Sequence, residues 1–406
     1  MFINLTPLKK YRDFRLLFFG QMISFLGSMV SYVAIPYQVY ALTKDNWHVG
    51  ALGLVQLLPV LIFGILGGTY ADRINRRKLL LVSETLMCLL ILGLTINAFQ
   101  EKPSIPAIYI LVGLFQSVLG FHRPAMDALT QKLVTKEDYA AIGALGSFRY
   151  AAGAIIGPAL GGILISSFGI KGAYLFDFLS FLAALIALAM MSQMPNPDAK
   201  EKSPWVDAKE GIQYALSKPE LVGTYVIDIV AMIFAFPVAL FPAMSESWGG
   251  ASAAGMLFSA MAVGSLIMTL FSGWTGKVHR HGRAVIIAAA FWAIFIVGVG
   301  FAPNLYTALA FLALAGAADM MSGLFRGIIW NHSVPNELRG RLSGIEMISY
   351  MSGPLLGNAR AGWMASKFSV PISLWSGGII CTIAVVVTAL FLPKFWRYNS
   401  REIGPL

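Results

Sequence analysis

The chain is expected to fold as an all-α integral membrane protein, with twelve transmembrane helices arranged as two six-helix bundles. Hydrophobic residues make up 57% of its 406 positions and charged residues only 12%, giving a mean hydropathy of +0.71. Apolar runs long enough to cross hydrocarbon, which takes about 20 helical residues, recur along nearly the whole chain and leave room for about twelve crossings. That pattern breaks near the middle, from Pro195 to Pro219, where proline and charge take over. A soluble domain is excluded by this composition. No loop is long enough to hold a separate catalytic or receptor module, so an enzyme is not expected.

The first apolar run, about Phe14 to Leu42, is too long for a secretory leader and leads directly into further spans, so it is expected to remain in place. Lys and Arg then fix the orientation. With the N-terminus in the cytosol, twenty-two of them fall in cytosolic segments, and only Lys44, Lys102, Lys171 and Lys367 fall on the opposite side. Short loops rich in these residues stay in the cytosol, so both termini are placed there. The net charge of +10 thus follows from topology and implies no nucleic-acid partner. Cys88 and Cys381 lie inside apolar runs without ligand-like spacing, which predicts core residues rather than a disulfide or metal site.

Between the second span (about Val49 to Ala71) and the third (about Leu79 to Phe99) lies Gly67-Gly-Thr-Tyr-Ala-Asp-Arg-Ile-Asn-Arg-Arg-Lys78, a glycine-led turn with one carboxylate and four cations. So much charge in a short hairpin suits packing against other helix ends at the cytosolic surface. In the fifth span, Gly153-Ala-Ile-Ile-Gly157-Pro158-Ala-Leu-Gly161-Gly162 repeats small residues at helical spacing. Gly153, Gly157 and Gly161 share one face that admits a close neighbour, while Pro158 removes a backbone donor and loosens the helix.

The break divides the chain into a first bundle at residues 1–194, a cytosolic linker at 195–220 and a second bundle at 221–406. Within the linker, Ser203 and Pro204 suit a helix start, and Trp205, Ala208, Ile212 and Leu216 share a face, predicting a short amphipathic helix on the membrane surface. The halves also echo one another. Leu133 to Gly143 resembles Ser333 to Gly344, and Ser352-Gly353-Pro354-Leu-Leu-Gly357 repeats the glycine-proline element of the fifth span. Parallel repeats of this kind let two bundles rock about a central site and expose it to each side in turn.

These motifs resemble those of the major facilitator superfamily. Gly68, Asp72, Arg73, Arg76 and Arg77 match that family's loop between helices two and three, with Asn75 in place of a usual glycine, and every position of its antiporter motif is filled by Gly153, Gly157, Pro158, Gly161 and Gly162. Arg123-Pro124-Ala125, Pro335 to Arg341, Leu42 to Gly50 and Leu240 to Trp248 extend the resemblance over essentially the whole chain, toward a drug/proton antiporter-like branch that includes siderophore exporters. The resemblance implies the major facilitator fold and efflux from a bacterial inner membrane by a monomer without a cofactor. It leaves two substrate readings open: proton-coupled antiport of a siderophore or similar anionic metabolite, or multidrug efflux of lipophilic compounds. No phosphate-binding loop of the Walker type is present, so an ion gradient is the expected energy source.

Ionisable residues inside spans cost at least about 2.5 to 3.5 kcal/mol at the bilayer centre, which makes each a functional candidate. Arg149, Asp177, Asp228, Asp319, Arg326, Glu346 and Arg360 are those candidates. Asp319 and Arg326 share a helix face and are placed to pair. The arginines favour an anionic substrate, because guanidinium stays charged and offers a planar fork to carboxylates. The carboxylates, Asp228 or Asp319 first, are the candidate proton carriers. The histidines are read as lying in loops or near span ends, His122 close to one, and none forms a metal-ligand pair with an acidic cluster. Asp127, one turn after Arg123, is placed to meet Arg73 or Arg77 as a cytosolic gate. Asp72→Asn is therefore expected to impair transport while leaving membrane insertion intact, measured as uptake normalised to inserted protein; normal transport by that variant would remove the gate.

Overall fold

In hydrocarbon a backbone without water must satisfy its own donors and acceptors, and a helix does so within one segment. The computed structural model is accordingly helical throughout its spans. It describes residues 3–194, 204–335 and 338–400, with the side chains of 65–73, 204–209, 340–341 and 343–345 outside the described set. In order the helices are α1 (Thr6–Lys10), α2 (Arg12–Thr43), α3 (Asn46–Arg73), α4 (Arg76–Phe99), α5 (Ile105–Lys132), α6 (Tyr139–Ala189), α7 (Pro204–Ser217), α8 (Pro219–Ala235), α9 (Phe241–Glu246), α10 (Gly250–Leu270), α11 (His281–Gly300), α12 (Leu305–Ser333), α13 (Arg339–Lys367), α14 (Val370–Phe391) and α15 (Pro393–Trp396).

Among the described residues ten segments are long and apolar enough to cross a membrane. Two features raise the number of spans to twelve. The 51-residue α6 breaks at Gly169 (φ 70°, ψ 180°), a backbone conformation that glycine adopts without strain, and so supplies both the fifth and sixth spans. The 29-residue α13 is the remaining span, its apolar character diluted by Arg339, Arg341, Glu346, Arg360 and Lys367.

The chain forms two compact units. The first comprises residues 1–42 and 58–202. One of its cores joins Leu17 of α2, Leu80 of α4, Leu129 of α5 and Leu188 of α6. Polar caps close the helix ends, where the first amides and last carbonyls lack helical partners. Asn75 Oδ1 accepts the Lys78 amide (3.1 Å) and its Nδ2 donates to the Met194 carbonyl (2.7 Å). Its φ of −56° needs no glycine, so asparagine here gains a cap and a tie to the end of the sixth span without backbone strain. The glycine face of α6 meets α2. A methyl at Gly153 would strike the Phe25 ring, one at Gly157 the Met29 Cβ, and one at Gly161 would lie 3.2 Å from the Val30 Cα.

The second unit comprises residues 43–57 and 203–406, and so includes the first part of α3. It repeats the glycine contact, since a methyl at Gly353 of α13 would lie 2.8 Å from the Met232 Cβ of α8, and one at Gly357 2.9 Å from the Phe236 Cβ. The span begun by α8 breaks at Phe236 and Pro237, and Asn358 Oδ1 accepts the freed Ala239 amide at 3.0 Å. Residues 195–203 of the linker lie outside the described residues, as do the side chains of Trp205 and Ala208. The rest of α7 docks through Ala215 and Tyr214 on Leu221, Val334 and Leu342, with the Tyr214 hydroxyl donating to the Ser333 carbonyl (2.7 Å), while Ile212 and Leu216 stay exposed.

The glycine contact gives a signed expectation. Gly157→Ala should destabilise the protein by about 1–3 kcal/mol through overpacking against α2, whereas Gly146→Ala, with open space around its Cβ position, should be neutral or stabilising by up to about 1 kcal/mol. Thermal unfolding of the two variants in detergent checks the difference in sign.

Candidate functional site

Each unit holds polar and charged side chains buried among its spans. In the second unit, three of the intramembrane candidates meet around one guanidinium. Arg326 of α12 contacts Asp228 of α8 through Nη1 at 2.6 Å and Asp319, two turns earlier on its own helix, through Nη2 at 4.0 Å. At a 1.5 Å rise per residue, Asp228 lies about 13 Å from the start of α8 and Arg326 about 10 Å from the end of α12, so the pair sits well inside the spans. The side chains grade outward: Asp228 is 6% exposed, Arg326 21% and Asp319 41%. Glu346 of α13 lies within electrostatic reach of both Arg326 and Asp228. One cation thus stands among three carboxylates. Helical spacing pointed to Asp319 as its partner; the shorter contact goes to Asp228 on another helix.

Arg360 of α13 belongs to the same unit but has no carboxylate within ion-pair distance among the described residues. Its Nη1 donates to the Ser373 carbonyl at 3.1 Å, its Nε finds no partner among those residues, and its guanidinium lies against the bare backbone of Gly377. A guanidinium satisfied only by carbonyl dipoles retains charge for an anion.

In the first unit Asp177, fully buried on the sixth span, accepts hydrogen bonds from Ser31 of α2 and from Ser180. Gly27 of α2 leaves the room this needs, because a methyl there would fall 2.6 Å from Asp177 Oδ1. Arg149 donates to the Met126 sulfur at 3.5 Å and interacts electrostatically with Asp127 and Glu84. Asp127 interacts in turn with Arg123 and Arg149. Arg77, beside Arg76 at the start of α4, donates to the carbonyls of Leu188 and Ala189, both at 3.0 Å, and so closes the C-terminal end of α6. Gly68 lies in α3, and the side chains of Asp72 and Arg73 lie outside the described set.

Sequence reasoning passed over Glu84. It is fully buried, its Oε2 is 2.5 Å from His122 Nε2, and Gln21 and Ser24 of α2 donate to it. His122, read from the sequence as close to a span end, lies ten residues before Lys132 in α5 and is buried. The signal in the sequence was a lone acid within the third apolar run, eclipsed by the cluster of cations that opens it.

Two units of apolar helices, each with charges buried among its spans, define a polytopic membrane transporter rather than an enzyme. Residues 3–402 match the transmembrane secretion effector family, and the chain belongs to that family of the major facilitator superfamily. It is 28% identical to the enterobactin exporter of Salmonella typhi, over 98% of this chain and 96% of that protein, and 27% identical to the enterobactin exporter of Escherichia coli O1:K1, again over 98% and 96%. Among solved structures, its fold is similar to that of the nucleoside transporter NupG (TM-score 0.70, 10% identity, covering 95% of this chain and 100% of that one). It is also similar to a bacterial homologue of the iron transporter ferroportin in an inward-facing state (TM-score 0.70, 13% identity, 95% and 98%).

The Arg326 network makes a stability prediction. Asp228→Asn should destabilise the protein by about 3 kcal/mol, the lower end for breaking a buried ion pair, because Asp319 remains as a second partner. Arg326→Gln in the same chain should recover most of that loss. Thermal melts of the single and double variants test the coupling, and an unchanged Tm for Asp228→Asn would count against it.

Proposed function

We propose that this protein is a secondary exporter that moves a siderophore or similar anionic metabolite out of the cytosol in exchange for protons, by alternating access. The observation that carries the reading is Arg326, held between Asp228 and Asp319 inside the second unit. A proton taken up by either carboxylate frees the guanidinium for a carboxylate or catecholate of the substrate, and deprotonation draws the guanidinium back. Arg360 adds a second cation with no carboxylate partner among the described residues. The end-to-end similarity to proteins named enterobactin exporters supports both the direction and the substrate class.

On this reading the protein lies in the bacterial inner membrane with both termini in the cytosol, functions as a monomer without cofactor, and is organised as bundles 1–194 and 221–406 around the linker 195–220. Gly68, Asp72, Arg73, Arg76, Arg77 and Asp127 serve the cytosolic gate. Gly153, Gly157, Pro158, Gly161 and Gly162 serve as the antiporter motif, and Arg149, Asp177 and Glu346 complete the candidate substrate and proton residues.

Everted membrane vesicles with and without an imposed pH gradient provide the test. Gradient-dependent accumulation of an iron-free catecholate siderophore, but not ethidium, is the expected result, and it should be lost in Arg326→Gln. Accumulation of ethidium alone would replace this reading with multidrug efflux, and accumulation of neither would remove both substrate classes.

A further inference from the structure

Three helices of the first unit converge on Glu84, to which the substrate reading gives no role. Glu84 lies about 12 Å from the first residue of α4, and His122 about 15 Å from the last residue of α5. Ser24 Oγ donates to Oε1 (3.0 Å), Gln21 Nε2 donates to Oε2 (3.2 Å), and His122 Nε2 lies 2.5 Å from Oε2. Every neighbour can donate, which suits a carboxylate, an acceptor-only group. A carboxyl and an imidazole at this separation can share a proton between them. With that proton the pair is neutral overall, as carboxylate with imidazolium or as acid with imidazole. Without it the pair carries one negative charge in a buried setting, which is costly unless a cation answers it.

That cation is in place. Arg149 of α6 interacts electrostatically with Glu84 and with Asp127 of α5, and Asp127 interacts with His122. Among the described residues, Asp177 of α6 and Cys88 of α4 are the other titratable groups that interact with Glu84, and ionisation of either adds negative charge. Arg149 stands one turn before Gly153, on the helix whose glycine face packs on α2. Loss or gain of that proton therefore changes the charge facing Arg149 on α6, the helix loosened at Pro158.

We propose that Glu84 and His122 form a proton-binding site within the first unit, held by Ser24 and Gln21 and answered by Arg149. The proton enters from water, is held between Oε2 and Nε2, and returns to water, with no bond to substrate made or broken. Its part in transport rests on the proton-coupled reading above; its existence rests on the geometry of the three helices.

Two measurements on the full chain separate these. Infrared pH-difference spectra of the purified protein, with labelled histidine, should show a carboxyl band that disappears in Glu84→Gln and an imidazole band that disappears in His122→Gln, each shifted by loss of the other partner, while Glu84→Asp retains a carboxyl band. Spectra unchanged by both Glu84→Gln and His122→Gln would overturn the site. In vesicles, one proton exchanged per substrate against about one pH unit supports about tenfold accumulation of the catecholate siderophore. Glu84→Gln should bring that ratio back to about one while retaining counterflow exchange of the same compound, which needs no net proton movement. Loss of counterflow as well would reduce Glu84 to a structural residue, and accumulation retained in full would exclude it from coupling. A wild type without gradient-dependent accumulation would instead defeat the proton-coupled reading, while the spectra still decide the site.

Discussion

A charge placed in hydrocarbon must bring its own partner, and the internal layout of both units follows from that requirement. Solvent cannot compensate a carboxylate a dozen ångströms inside a span, so each finds a cation, an imidazole or a set of hydroxyl and amide donors on a neighbouring helix. Asp228 has Arg326, Glu84 has His122 with Ser24 and Gln21, and Asp177 has Ser31 and Ser180. These contacts specify which helices must be neighbours, a choice that apolar side chains alone leave open when lipid is as apolar as leucine. The glycine faces then set how closely those neighbours approach.

Much of this was legible in the sequence. Span length and composition gave the membrane class, and small residues at helical spacing marked the face of α6 that meets α2. Asp319 and Arg326 could be put on one face because that relation is local. Pairing between helices was not legible: Asp228 is far from Arg326 along the chain, and no periodicity links them. Asn75 illustrates the same limit. As a departure from a family pattern it looked like a weakness, yet it caps α4 and holds the Met194 carbonyl, a partner that only folding brings near. Glu84 was hidden for a related reason, since an acid close to Arg76, Arg77 and Lys78 reads as interfacial until α2 and α5 are seen to enclose it.

The two units use one construction differently. In each, a glycine-proline helix packs on the unit's first long helix through a methionine, Met29 in one and Met232 in the other. The shared contact preserves the repeat, while the polar networks have diverged: a carboxylate and imidazole in the first unit, an arginine among carboxylates in the second.

The single-residue break at Gly169 has a mechanical consequence. The fifth and sixth spans have no loop between them to act as slack, and both are gripped by α2, the fifth through Gly153, Gly157 and Gly161 and the sixth through Ser31 and the close approach at Gly27. These three spans are therefore tied together without a connecting loop, and Pro158 rather than a loop is where the assembly can bend.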